Sequence, residues 1–221
     1  MSLLTTPPLA GLLDQLFDEA DRTRPWALPE FAGLSREEQL RLMQSETGYL
    51  DVYRHLKDMP LPVSRDTGKL LYLLARAGGA RTIVEFGTSF GISTLHLAAA
   101  LRDNGGGRLI TCEFEPSKVQ RARSNLTAGG LADLVEIREG DALQTLSRDI
   151  PEGIDLVLLD GAKALYSKVL DLLEHRLAPG ALLVADNADF CPRYLAHVRA
   201  PANGYLSVPF ADDVELSIRL G

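Results

Sequence analysis

Thr82-Ile83-Val84-Glu85-Phe86-Gly87-Thr88-Ser89-Phe90-Gly91 decides the fold of this 221-residue chain. Five residues of strand character run into a glycine, and a second glycine stands just before a helical pattern at 93–101. A short buried strand that turns through glycine into a helix is the repeating unit of doubly wound α/β sheets. The same alternation continues outward. Strand patterns at 108–114, 134–137, 155–160 and 181–185 follow, with helical patterns at 116–127 and 165–177 between them. Pro116 stands early in its helix, where a missing N–H costs nothing. Pro179-Gly180 is expected to close the helix at 165–177. The run Asp155-Leu156-Val157-Leu158-Leu159-Asp160 is almost wholly apolar, as in a strand covered on both faces. Strands alternating with helices predict a parallel sheet between two helical layers. At the end, patterns at 205–210 and 214–220 are separated only by Ala211-Asp212-Asp213. So short a connection permits only an antiparallel hairpin. The expected fold is α/β: a doubly wound, mostly parallel, seven-stranded sheet with a C-terminal antiparallel hairpin.

The first part of the chain reads as helical. Leu9, Leu12, Leu13, Leu16, Phe17 and Ala20 recur at helical spacing, and Ser35-Arg36-Glu37-Glu38 is a capping-box pattern opening a helix towards Ser45. Met59-Pro60-Leu61-Pro62 breaks the pattern, and another helix is expected over 66–76. Residues 1–62 are therefore expected to form an N-terminal helical segment, and 63–221 the α/β domain. Trp26 and Phe31 in the helical segment are candidates for covering a pocket or making a dimer contact.

The formal charge is −7. That balance argues against non-specific binding to nucleic acid or an anionic membrane. The opening Met1-Ser2-Leu3-Leu4-Thr5-Thr6-Pro7-Pro8 lacks the basic and apolar regions of a secretory signal, and no stretch is apolar enough to span a bilayer. Cys112 and Cys191 have no ligand-type spacing and read as reduced thiols of a cytoplasmic protein.

Four groups carry candidate chemistry. The glycine turn Gly87–Gly91 allows close approach of a ligand to the backbone, although Ser89 stands where a dinucleotide fingerprint has its middle glycine. Glu113, at the end of the next strand and 22 residues beyond Gly91, is placed to accept two ribose hydroxyls or to be an ordinary solvated strand end. Gly140-Asp141-Ala142 follows the third strand and either borders an adenine ring or caps a helix through Asp141. The turn contains no lysine or arginine and no phosphate loop is present, which favours a nucleoside ligand without a pyrophosphate. Finally, Asp160 ends one buried strand and Asp186-Asn187 end the next. Three such oxygens at the carboxyl ends of strands suit a hard divalent cation, with Lys163 close by; turn capping is the plainer use of the same residues.

Glu85-Phe86-Gly87-Thr88-Ser89-Phe90-Gly91-Ile92-Ser93 resembles the E-x-G-x-x-x-G-x-S motif of the catechol and caffeoyl-CoA O-methyltransferase families. Asp160-Gly161-Ala162-Lys163-Ala164-Leu165-Tyr166 resembles their D-x-x-K-x-x-Y segment, and Ala185-Asp186-Asn187 their A-D-N. Val63 with Gly68 is similar to the V-x-x-x-x-G stretch before the first strand, and Pro209–Asp213 to a P-x-x-D-G turn. The resemblance runs from about Val63 to Leu220. It implies an S-adenosylmethionine-dependent O-methyltransferase acting on a small hydroxylated, aromatic or catechol-like acceptor. It further implies that Glu85, Gly87, Val63 and Ser93 hold the amino-acid end of the cofactor. By the same resemblance Glu113 holds the ribose, Asp141 and Ala142 border the adenine, and Asp160 touches both cofactor and metal. Asp160, Asp186 and Asn187 would ligate a divalent cation, magnesium with calcium or manganese as alternatives, and Lys163 would be the general base. A homodimer is implied too. A lysine of ordinary pKa ~10.4 is too basic for that role near neutrality, and a dication and a sulfonium beside it would lower the value.

Two departures stand out. Bacterial relatives often read D-A-D-K where this chain has Asp160-Gly161-Ala162-Lys163, and Asp213 stands at the usual turn glycine. Neither removes a metal ligand; both alter the acceptor mouth. Three other readings stay open at this point: a metal-independent methyltransferase, a non-catalytic cofactor-binding module, and a nicotinamide-dependent dehydrogenase.

Overall fold

A computed structural model describes residues 2–25, 28–211 and 213–221. Trp26, singled out above, and Asp212 of the hairpin turn lie outside the described residues.

Seven strands form one sheet in the order β3-β2-β1-β4-β5-β7-β6. They are β1 (Thr82–Phe86), β2 (Arg108–Glu113), β3 (Val135–Glu139), β4 (Ile154–Leu159), β5 (Leu177–Ala185), β6 (Tyr205–Phe210) and β7 (Val214–Arg219). The first five pair in parallel, while β7 runs antiparallel to both β5 and β6. The sheet is thus the doubly wound, mostly parallel one expected, with the C-terminal hairpin inserted at its edge. Strand order reverses between β1 and β4, which places the ligand crevice at their carboxyl ends.

Helices cover both faces. On one side lie α1 (Leu9–Asp21), α4 (Arg65–Ala77), α5 (Ile92–Asp103) and α6 (Pro116–Ala128), whose apolar residues share one core cluster with Ile83, Leu109 and Leu158. On the other lie α7 (Ala142–Thr145), α8 (Tyr166–Leu173) and α9 (Pro192–Val198), packed on Val84, Ile110 and Val157. The alternation of Ile83 and Val84 between the two clusters is the period-two geometry of a strand. Helix α5 is buried on every side from Ile92 to Leu101, which explains its run of small residues Ala98, Ala99 and Ala100. Gly68 of α4 faces the His96 ring of α5, where a Cβ would come within 2.8 Å of the ring, so the two helices need a glycine at their crossing.

Between α1 and α4 the chain forms α2 (Arg36–Met43) and α3 (Tyr49–His55). Helix α2 opens with the expected capping box of Ser35 and Glu38. Phe31, Val52 and Leu56 make a small core of their own. Within the helical segment expected over 1–62 no separate helix is marked out at α3, and it proves to lie over the crevice.

One expected boundary is corrected. The helix expected over 165–177 ends at Leu173, a 3-10 turn spans Glu174–Arg176, and β5 begins at Leu177 and passes through Pro179-Gly180. The register against β4 slips here, from Ile154↔Leu177 to Leu156↔Leu182. Pro179 therefore sits in a bulge, where no ladder donor is needed.

Candidate active site

The turn after β1 is built for close contact. Gly87 has φ of 102°, and a Cβ there would lie 2.6 Å from the Asp160 carbonyl oxygen at the end of β4. Only glycine allows the two strand ends to come so near. Ser89 is held at φ 48°, a left-handed conformation uncommon outside glycine. Its N–H donates to Glu113 Oε2 at 2.9 Å, and its hydroxyl accepts from Leu61 N at 3.1 Å. Asn125 of α6 donates to the Phe90 carbonyl at 2.8 Å and pins the far side of the turn.

A cleft opens over this turn. Gly87, Glu113, Asp141, Ala142 and Asp160, five of the expected cofactor residues, line it. Glu113 Oε1 also accepts from Glu115 N at 3.0 Å. Each carboxylate oxygen has one backbone partner and keeps acceptor capacity for the cleft. Asp141 does both things its pattern allowed: it caps α7 by accepting from Leu143 N at 2.9 Å, and it borders the cleft. Cys112 lies at the cleft floor, and burial pushes its thiol up to about 12, so it is an inert wall residue. Cys191 is buried and likewise pushed up to about 12 by burial.

Glu85, Ser93 and Val63 do not line this cleft. Glu85 is fully buried beneath the turn, where Ser93 Oγ and Thr94 Oγ1 each donate to it at 2.6 Å. Burial drives its carboxyl up to about 7, against the lowering effect of those two hydroxyls. Ser93 lines a narrow neighbouring recess with Leu61 and Ser89, and Val63 belongs to the core.

Of the expected cation and base residues only Asp160 lines the cleft; Lys163, 5% exposed, lies behind it and lines a neighbouring pocket with Tyr166 and Cys191. Its Nζ donates to Asp160 Oδ1 at 2.9 Å and to Tyr166 Oη at 2.8 Å, and lies 3.4 Å from the Asp186 carbonyl oxygen. Tyr166 donates in turn to that carbonyl at 2.7 Å. Burial opposes the ammonium, but Asp160, the Tyr53 hydroxyl and Asp186 outweigh it and hold the lysine above its ordinary pKa. Before any cation is bound, then, Lys163 is a paired ammonium and not a base. Burial raises the Asp160 and Asp186 carboxyls, and burial together with the Asp160 charge takes Asp186 to about 8.

Asn187 follows directly, with φ of 50°. Among the described residues no three His, Cys, Asp or Glu side chains converge as a metal site. A set of two carboxylates and one amide oxygen is nevertheless a hard-cation donor set. Two carboxyls raised by burial, one of them also by the charge of the other, are what such a set looks like without its countercharge, so these residues fit a divalent cation.

Several site residues were invisible in the sequence. Tyr49, Leu50 and Tyr53 of α3 roof the cleft. Tyr53 donates to the Gly161 carbonyl at 3.3 Å and meets Phe114 edge to face, with centroids 6.5 Å apart. The spacing of Tyr49 and Tyr53 by one helical turn was the available signal. Lys118 of α6 also faces the cleft, buried, with its pKa lowered by desolvation despite nearby Glu113 and Glu115. Gly161, the departure noted between Asp160 and Lys163, faces the Phe86 ring so closely that a Cβ would sit 2.5 Å from it. The alanine of D-A-D-K would not fit against this phenylalanine.

Comparisons with known proteins agree with this geometry. A family model described as a methyltransferase domain matches residues 84–188. A catechol O-methyltransferase from Niastella koreensis is 38% identical over 130 residues, covering 58% of each chain. Catechol O-methyltransferase B from Danio rerio is 31% identical over 181 residues, covering 78% of this chain and 67% of its own. The chain spans less than two thirds of the length of the first curated relatives it matches. Among solved structures, the O-methyltransferase TomG of Streptomyces achromogenes, involved in tomaymycin synthesis and in complex with SAM, superposes with a TM-score of 0.64 at 28% identity. That match covers 86% of this chain and 93% of TomG.

Proposed function

Because this chain belongs to the catechol O-methyltransferase-like methyltransferases, we propose that it transfers a methyl group from S-adenosylmethionine to a hydroxyl of a small aromatic, catechol-like acceptor with the help of a divalent cation. The observation that carries the reading is that Asp160 lines one cleft with Glu113, Asp141 and Ala142 while it is bonded from behind by Lys163, whose Nζ also lies against the Asp186 carbonyl.

S-adenosylmethionine supplies the electrophilic methyl. Glu113, preoriented by Ser89 N and Glu115 N, would accept the ribose hydroxyls without reorganising. Ala142 and the capped Asp141 would flank the adenine, under Tyr49. Glu85, Ser93 and Val63 support the turn from below, and the amino-acid end of the cofactor would rest on Gly87 above them.

Asp160, Asp186 and Asn187 would hold the cation, with magnesium favoured over calcium or manganese. Bound there, it would acidify an acceptor hydroxyl and offset the carboxylate field that keeps Lys163 protonated. Lys163 would then take the hydroxyl proton at Nζ. Tyr53 and Phe114 line the cleft and pack edge to face, and would keep water from the acceptor. A homodimer and a cytoplasmic location complete the proposal. No helix among the described residues is long and apolar enough to cross a membrane.

The test is transfer of isotopically labelled methyl to a panel of catechols and simple phenols, with magnesium and with chelator. Transfer to a catechol that stops on chelation supports the proposal. Transfer that survives chelation removes the cation from it, and no transfer to any aromatic hydroxyl removes the acceptor class.

A further inference from the structure

The third oxygen of the proposed cation set belongs to an amide, and an amide has two unlike ends. Asn187 Nδ2 donates to Asp213 Oδ2 at 3.0 Å. A carboxylate accepts and does not donate, so this contact assigns the NH2 end of the amide to Asp213 and turns the Oδ1 end away from it. The main chain repeats the connection: the Asp213 carbonyl accepts from Ala188 N at 2.8 Å. The turn between β6 and β7 is thereby tied to the segment after β5 through both backbone and side chain. At the position of Asp213 the resembling hairpin motif has glycine, which has no side chain to make the first contact.

From this geometry we propose that Asp213 is a positioning residue, which fixes the Asn187 amide with its oxygen available to a divalent cation shared with Asp160 and Asp186. The inference rests on the cation reading given above. A hard cation is ligated by the oxygen and repelled by the NH2 group, so a freely rotating amide presents the wrong end part of the time. Groups that hold a metal ligand in place typically change metal affinity 10–100-fold when removed.

The test is calorimetric titration of Mn2+ into the full chain with S-adenosylmethionine present. It compares wild type, Asp213→Ala, Asp213→Asn and Asp186→Ala. The expected result is Mn2+ binding about tenfold or more weaker in Asp213→Ala, with cofactor affinity unchanged as a check on folding. Asp213→Asn keeps an acceptor oxygen for the amide and is expected to recover most of that loss. Wild-type affinity in Asp213→Ala overturns the proposal. Equal weakening in both Asp213 variants overturns it as well, since charge and not orientation would then be at work. If wild type binds no Mn2+, or Asp186→Ala binds it unchanged, the cation reading itself falls and the inference with it.

Discussion

Lys163 Nζ lies 2.9 Å from Asp160 Oδ1, and the two side chains are only 4% and 11% exposed. A buried pair of this kind is costly to break from one side, because the remaining charge is stranded. Lys163→Met is therefore expected to lower turnover by about 10²–10⁴-fold, the usual range for a lost acid–base group. S-adenosylmethionine affinity should stay within a few-fold of wild type. Steady-state rates beside a cofactor titration check this, and a variant that turns over like wild type rules Lys163 out as the base.

Glu85 makes stability depend on pH. Burial lifts its carboxyl from an ordinary 4.5 to about 7. The folded state then binds the proton more tightly than the unfolded chain. This contribution is complete below about pH 4.5 and is lost as pH rises through 7, to the extent of roughly 3 kcal/mol. Glu85→Gln does not titrate. Relative to wild type, the cofactor-free variant should gain stability by about that amount between pH 4.5 and 8. Urea unfolding at both ends of the range measures it, and parallel pH profiles for the two proteins would refute it.

Gly87→Ala should be among the most damaging single substitutions. The new Cβ would meet the Asp160 carbonyl at 2.6 Å, at a φ of 102° that alanine rarely adopts. Strain at such a site costs roughly 1–3 kcal/mol before the clash is counted. Gly79→Ala, also at positive φ but with no atom within 4 Å of the added Cβ, serves as the comparison. Equal melting temperatures for the two variants would contradict the close approach of β1 and β4.

Much of this was legible in the chain. Strands such as Thr82–Phe86 and Ile154–Leu159 are covered on both faces, so they appear as mostly apolar runs, interrupted by Glu85 and Asp155 and followed by glycine or a carboxylate. Asp160, Asp186 and Asn187, the proposed cation set, were legible as strand-end residues for the same reason, since they follow such runs. Helix α3 was not. Val52 and Leu56 face a small local core while Tyr49 and Tyr53 face the cleft, so its apolar residues divide between two surfaces and make no single stripe. The partners of Lys163 were hidden for another reason. The Asp186 carbonyl is 23 residues away, and a backbone acceptor carries no residue signature.

Tyr53 offers a test of that unforeseen roof. Its hydroxyl makes one long bond, 3.3 Å to the Gly161 carbonyl, while its ring packs on Phe114 over the cleft. Tyr53→Phe should bind S-adenosylmethionine nearly as well as wild type. Tyr53→Ala should bind it about tenfold or more weakly, because losing a buried aromatic wall is worth roughly 1.5–3 kcal/mol. If the alanine variant binds normally, α3 is no part of the binding site.

The central claim is that the cleft over Gly87 and Glu113 holds S-adenosylmethionine. Calorimetric titration of the cofactor into wild type and Glu113→Ala tests it most directly. One saturable site is predicted for wild type, weakened about 10–100-fold in the variant by the loss of charge-assisted hydrogen bonds to the ribose. No binding to wild type, or equal binding to both proteins, would contradict the account.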